Sequence, residues 1–313
     1  MNLTSARIWI AGTETLAGSA LLAEASRRGL EVTPLSAADT ADWADAAAIQ
    51  RSLAQARPDV VFVAAGESGG IAFNQAHPAR LLESNLRVVL NVVCAAARLH
   101  IPRLLYLASS CCHPRDAAQP LRVESLMTGP LEPTNAAYAT AKLAGIAACE
   151  AIHRESGLGF FAALPATLYG PEDHFDPAHA HVATGLMLRM HEAKEQHLPS
   201  VTVWGTGNPR RDFLFSRDLA DACLFLAERY DPARGPVHIG PDSDLSIAEV
   251  AQAVKEVVGY DGELLFDPSR PDGAPLKRLD AAPLRALGWQ PQTPFPDGLR
   301  QTYAAFLKRR PSR

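Results

Sequence analysis

Through the first half of the chain, short apolar runs alternate with longer segments of helical period. "RIWIA" (7–11) predicts a buried strand. "LAGSALLAEASRRG" follows with apolar positions at helical spacing and stops at Gly29. "LEVTPL" predicts a second, weaker strand, and "DAAAIQRSLAQARP" an amphipathic helix closed before Pro58. "DVVFVAA" (59–65) is continuous and β-branched, as in a parallel strand covered on both faces. "SNLRVVLNVVCAAARLH" predicts a helix, "RLLYLAS" a fourth strand, "YATAKLAGIAACEAIHRES" another helix and "GFFAALPA" another strand. This alternation predicts an α/β fold built on a doubly wound parallel sheet.

The second half has longer loops and more Pro and His. "PVHIG" predicts a short strand. "SIAEVAQAVKEVV" opens with Ser246 and carries Glu249 three positions on, a capping-box pattern. The expected division is a dinucleotide-binding domain over 1–165 and a smaller α/β substrate lobe over 166–313. Later segments, about 215–242, are expected to return to the first domain.

Composition narrows the function class. The chain has 313 residues, 47% hydrophobic and 20% charged, with a formal net charge of -4. No basic block or stripe suggests nucleic acid. No apolar run reaches the ~18 residues of a membrane span. "MNLTSARIWIAG" reads as a first strand and not as a signal peptide. Five cysteines, an odd number without secretory features, argue against a disulfide framework and predict a cytoplasmic protein.

After the first strand, "GTETLAGS" puts Gly12 and Gly18 at the outer positions of a GxxGxxG loop, with Thr15 in the middle. Such a loop needs glycines for the turn and for backbone approach to a pyrophosphate. The strand–loop–helix context predicts a Rossmann-type dinucleotide site. Glu14 lies inside the loop and no basic residue follows the second strand, so charge alone leans towards NAD(H).

"YATAK" places Tyr138 and Lys142 one helical turn apart, and Tyr138 is the only one of six tyrosines with a lysine at that spacing. A nearby ammonium favours the phenolate and moves a phenol towards acid–base range. Ser109 and Ser110 end the fourth strand, where such sheets present ligand-contacting groups. A glycine loop, serine, tyrosine and lysine in this order resemble the extended branch of the short-chain dehydrogenase/reductase superfamily.

The blocks "GGIAFNQAHP", "SSCCHP", "LEPTNAAYATAK", "LYGPEDHFDPAHAHV", "LRMHEA", "VWGTGNPRRDF" and "RPDGAPLKRLD" occur in order across nearly the whole chain. Together they are similar to the GDP-L-fucose synthase family, the 3,5-epimerase/4-reductases of a GDP-4-keto-6-deoxy sugar. The resemblance implies a homodimeric cytoplasmic enzyme that takes a GDP-sugar substrate and NADP(H). It implies catalytic roles for Ser109, Cys111, Tyr138, Lys142 and His181. Gly12, Thr15, Leu16, Gly18, Lys142 and His181 would bind the cofactor. Arg189, Trp204, Arg211 and Lys277 would contact the substrate, and no metal is implied. Thr15, Glu14, Thr167 and His113 depart from the family pattern. The first two leave NAD(H) open as the cofactor. The last two leave open a related sugar, a GDP-colitose or GDP-6-deoxyheptose, and a non-catalytic nucleotide-binding protein is a further alternative.

The remaining reactive side chains have structural readings. Cys94, Cys149 and Cys223 lie in apolar helical runs and are expected in the core. Cys112 is expected to face away from Cys111 as a strand neighbour. Adjacent Cys111, Cys112 and His113 lack zinc-ligand spacing. His174, His179 and His191 are expected on loop or helix surfaces, Arg210 in solvent, and Trp204 would otherwise pack in a core.

Overall fold

The structure, a computed structural model, describes residues 1–173, 175, 180–270 and 272–309. In chain order its strands are β1 (Arg7–Ala11), β2 (Glu31–Leu35), β3 (Val60–Val63), β4 (Arg103–Leu107), β5 (Gly159–Pro165), β6 (Thr167–Tyr169) and β7 (Ser200–Trp204). They continue with β8 (Arg210–Arg211), β9 (Phe213–Phe215), β10 (Val237–Ile239), β11 (Leu245–Ser246), β12 (Glu263–Asp267) and β13 (Leu276–Lys277).

Six of them form one sheet in the order β10-β5-β4-β3-β1-β2, every pairing parallel. The order reverses between β1 and β3, the switch point at which doubly wound sheets open a crevice for ligands. Helices cover both faces. The pleat sends Ile8 and Ile10 of β1 into one core with Leu21, Leu219 and Leu224. Trp9 and Ala11 point into the other, with Ile49, Val92 and Phe160. Burial on both faces is why these strands read as unbroken apolar runs. β2 alone alternates weakly and carries Pro34, which an edge strand tolerates.

A third core lies outside the main sheet. Tyr169, Phe213 and Phe215 from β6 and β9 pack there with Met187, Val250, Val254 and Leu299. The helix Ile247–Val258 starts on the predicted capping box, Ser246 Oγ accepting from Glu249 N and Glu249 accepting from Ser246 N. The helix Ser216–Arg229 and β10 meanwhile pack into the first core.

Two local expectations change. The helix predicted through residue 100 runs as Pro78–Val88, a π-turn over Val89–Val93 and a last turn Cys94–Arg98. The fourth strand stops at Leu107, and Ser110–Cys112 is a 3-10 turn capped by Ser109. Cys111 and Cys112 therefore separate by the rotation of a turn and not by the pleat of a strand. No described helix is long and apolar enough to cross a membrane.

Candidate active site

The crevice begins at the glycine loop. Gly12 adopts φ +88°, and a Cβ there would sit 2.5 Å from Ala65 Cα beyond β3. A Cβ on Gly18 would sit 1.9 Å from the Gly12 carbonyl oxygen. Both positions need glycine so that loop, helix and strand end can touch. Thr15 is no defect in this loop. It is the N-cap of the helix Leu16–Arg27, its Oγ1 accepting from Gly18 N at 3.0 Å. The same hydroxyl lies 2.9 Å from Gly12 O and 3.1 Å from Ala64 O, tying the loop to β3. Among the described residues the Leu16 and Ala17 N–H groups take no partner, and they open this helix at the crevice. Close-approach glycines at a helix N-terminus fit a dinucleotide pyrophosphate.

At the end of β2 the Glu14 carboxylate accepts from Ala37 N at 3.1 Å. Burial raises its pKa, its hydrogen bonds lower it, and Asp39 and Asp42 add to the upward push. Asp39 is itself engaged by the Ser36 amide and hydroxyl.

Ser109, Cys111, Tyr138 and Lys142 meet at the ends of β3 and β4. Lys142 is buried and donates to Ala65 O at 3.3 Å and Leu107 O at 3.1 Å. Its ammonium lies 5.1 Å from the Tyr106 ring centre and 5.9 Å from that of Tyr138. Gly145, one turn on, admits the Tyr106 ring, which stands 2.3 Å from where its Cβ would be. Burial pulls Lys142 down to about 8. The expected lowering of the Tyr138 phenol by Lys142 is not found. Burial pushes the phenol up, Cys111 and Cys112 push it further, and a hydrogen bond with Ser109 works the other way. Tyr138 is thus held protonated. It lines a cavity of about 260 Å³ together with Asn74, Pro133, Thr134 and Asn135.

Cys111 is half-buried, and its amide donates to Ser109 Oγ at 3.1 Å. Its sulfur receives two donors, Asn135 Nδ2 at 3.3 Å and Lys277 Nζ at 3.2 Å. Burial alone would raise this thiol. The Lys277 charge, bonds to Ser109 and Lys277, and the Arg211 charge outweigh burial and lower it. Cys112 is fully buried with its sulfur 3.8 Å from Ala139 O, and burial pushes it up to about 12. Cys149 and Cys223 are also in the core, whereas Cys94 is half-buried.

His181 caps the helix Val182–Glu195 with Nδ1 3.1 Å from Asp173 Oδ1. The Asp173 side chain is fully buried and also accepts from Thr184 Oγ1. The bond to Asp173 raises His181, burial opposes it, and the Asp173 charge adds to the rise. No hydrogen bond joins His181 to Cys111 among the described residues.

The expected substrate contacts spread wider. Arg211 and Lys277 are register partners on β8 and β13, and Arg211 Nη1 donates to Arg210 O and Ala274 O. Arg189 Nη1 donates to Thr202 O on β7. Burial lowers both arginines, and neither has a carboxylate partner among the described residues. Trp204 is not in a core. It is 66% exposed at the end of β7, with the Arg270 guanidinium 5.3 Å from its ring centre.

Other readings are corrected too. Arg210 pairs with Asp244 and Glu249. His191 is buried, with Nδ1 2.8 Å from Tyr303 Oη, and is not a surface residue. His174 and His179 lie outside the described residues. His113 turns from the cysteines to a buried partner, its Nε2 3.0 Å from His238 Nε2. The described residues hold no metal-binding cluster. Sequence reading missed Asn135, Asp173 and Asn85. Asn85 is buried with Oδ1 unpartnered beside Gly66, itself next to Lys142. Nothing in the spacing of these three residues marks them.

Residues 8–240 match the NAD dependent epimerase/dehydratase family. GDP-L-fucose synthase 1 of Arabidopsis thaliana is 42% identical over 308 residues, covering 98% of this chain and 95% of its own length. GDP-L-fucose synthase of Sinorhizobium fredii is 40% identical, covering 97% and 96%. Among solved structures, the GDP-mannoheptose C4 reductase from Campylobacter jejuni with NADP bound superposes with a TM-score of 0.88. It is 29% identical, covering 98% of this chain and all of that one. The glycine loop, the Ser109–Tyr138–Lys142 cluster and these matches place the chain in the NAD dependent epimerase/dehydratase family, among its GDP-L-fucose synthases.

Proposed function

We propose that the protein is a 3,5-epimerase and 4-reductase of a GDP-4-keto-6-deoxy sugar, forming GDP-L-fucose. One observation carries this reading. Ser109 Oγ accepts from the Cys111 amide at 3.1 Å and also acts on the neighbouring Tyr138 phenol, so the groups for reduction and for proton transfer meet at one residue.

A ketone at carbon 4 acidifies the protons on carbons 3 and 5. Inverting either centre needs a base on one face and an acid on the other. Cys111, with its thiol pKa lowered, serves as the base. His181, pushed towards its cationic form by Asp173, serves as the acid. When bound, a reduced nicotinamide supplies the hydride to carbon 4. Tyr138, kept protonated, gives its proton to the carbonyl oxygen, and Ser109 hydrogen-bonds that oxygen. Gly12, Thr15, Leu16, Gly18 and Lys142 hold the cofactor, with His181 at its edge. Arg189 and Arg211, without carboxylate partners among the described residues, answer the diphosphate, while Trp204 offers a face to the nucleotide.

The cofactor favoured is NADH. The Glu14 carboxylate reaches from the glycine loop to the end of β2, where an acid accepts from a ribose hydroxyl, and residues 31–45 contain no lysine, arginine or histidine. The division into a cofactor domain over 1–165 and a substrate lobe over 166–313 belongs to this reading. So do a homodimer, which sedimentation would test, and a cytoplasmic location.

The test is one assay with GDP-4-keto-6-deoxy-D-mannose and NADH in heavy water. Cofactor oxidation with deuterium at carbons 3 and 5 is the expected result. A protein that neither oxidises the cofactor nor incorporates deuterium is not this enzyme.

A further inference from the structure

We infer that Lys277, with Asn135, is a positioning residue that holds the Cys111 sulfur as a thiolate in the enzyme before substrate arrives. The inference deepens the proposed function, since it concerns the group that reading uses as its base. It gives Lys277 a second role beside the expected contact with the substrate.

Geometry carries the argument. The Lys277 ammonium and the Asn135 amide both donate to one sulfur, at 3.2 and 3.3 Å. A neutral thiol is a weak acceptor, whereas a thiolate accepts charge-assisted bonds well. Two donors on one sulfur match the anion. The fold aims them from separate elements: Asn135 precedes the helix Ala136–Ser156, and Lys277 lies on β13.

The surrounding charges agree. Arg211, beside Lys277 on β8, adds a second positive charge. The other titratable groups facing the sulfur are Tyr138 and Cys112, both pushed up by burial and so uncharged near neutral pH. Asp212, between β8 and β9, faces Lys277 and is lifted to about 6 by burial. It also accepts from Leu279 N, which commits that oxygen to the backbone. No described carboxylate takes the Lys277 ammonium from the sulfur. In the resting enzyme the thiol proton has gone to solvent.

The experiment is alkylation of Cys111 by iodoacetamide in the full-length, substrate-free enzyme across pH, read by mass spectrometry of its peptide. The wild-type rate is expected to follow a thiolate titrating below the ~8.5 of a free thiol. Lys277→Met should move that midpoint up by about one unit and slow alkylation at neutral pH about tenfold, and Lys277→Arg should keep most of the wild-type profile. A wild-type midpoint at or above the free-thiol value overturns the inference without any variant. So does a Lys277→Met profile that superposes on wild type. Because no substrate is present, the result separates from the catalytic reading. An enzyme without deuterium exchange but with a Lys277-dependent thiolate would lose its proposed function and keep this pair.

Discussion

His181 Nδ1 lies 3.1 Å from a carboxylate oxygen of Asp173 whose side chain is wholly buried. An imidazole so placed is raised towards its cationic form by the hydrogen bond, against the pull of burial. A group raised on folding adds stability that is fully present below its unfolded value, ~6.5 for histidine, and is lost as pH rises through its folded value. Asp173→Asn should therefore lower the His181 titration midpoint seen by NMR. It should reduce stability more at about pH 6 than at about pH 8.5. An unchanged midpoint would mean that the carboxylate does not set the charge of His181.

Tyr138 is kept protonated by burial and by its cysteine neighbours. Tyr138→Phe should cut cofactor oxidation by about 10²- to 10⁴-fold while deuterium still enters the sugar. Loss of both activities together would show that the phenol is needed for more than the reduction.

The two adjacent cysteines part company. Cys111→Ser should suppress deuterium exchange, because a hydroxyl is a far poorer anion than a thiol. Cys112→Ser should leave exchange nearly unchanged, since among the described residues its buried sulfur meets only Ala139 O as a hydrogen-bonding group. Equal effects from both variants would contradict the assignment of Cys111 as the base.

Gly18→Ala would drive a methyl group to 1.9 Å from the Gly12 carbonyl oxygen. The expected cost is about 1–3 kcal/mol in urea unfolding, together with loss of NADH binding in a fluorescence titration. A variant that binds as wild type would show that the loop does not hold the cofactor.

Glu14 accepts from Ala37 N in a stretch without cations. Wild-type protein should bind NADH more tightly than NADPH. Glu14→Gln should narrow the gap, and Glu14→Arg should reverse it by about tenfold through a charge-assisted bond to the 2′-phosphate. Tighter NADPH binding by the wild type would refute the role given to Glu14.

The chain itself determined what depends on local spacing. Unbroken apolar runs marked strands covered on both faces, and helical periods between them marked the crossovers. A lysine one turn after a tyrosine could only share its face. Gly12 and Gly18 were legible because a turn after β1 leaves no room for Cβ. Tertiary structure decided the partners. Lys277 reaches Cys111 from 166 positions away, on a two-residue strand too short to leave a periodic trace. Asp173 meets His181 in a loop, and His113 finds His238 across the end of the sheet. Thr15 read as a flaw in a glycine pattern until the helix it caps was seen. Local periodicity comes from backbone geometry and is written in neighbouring residues. Pairings between loops depend on how distant segments pack, and one chain's spacing carries no record of that.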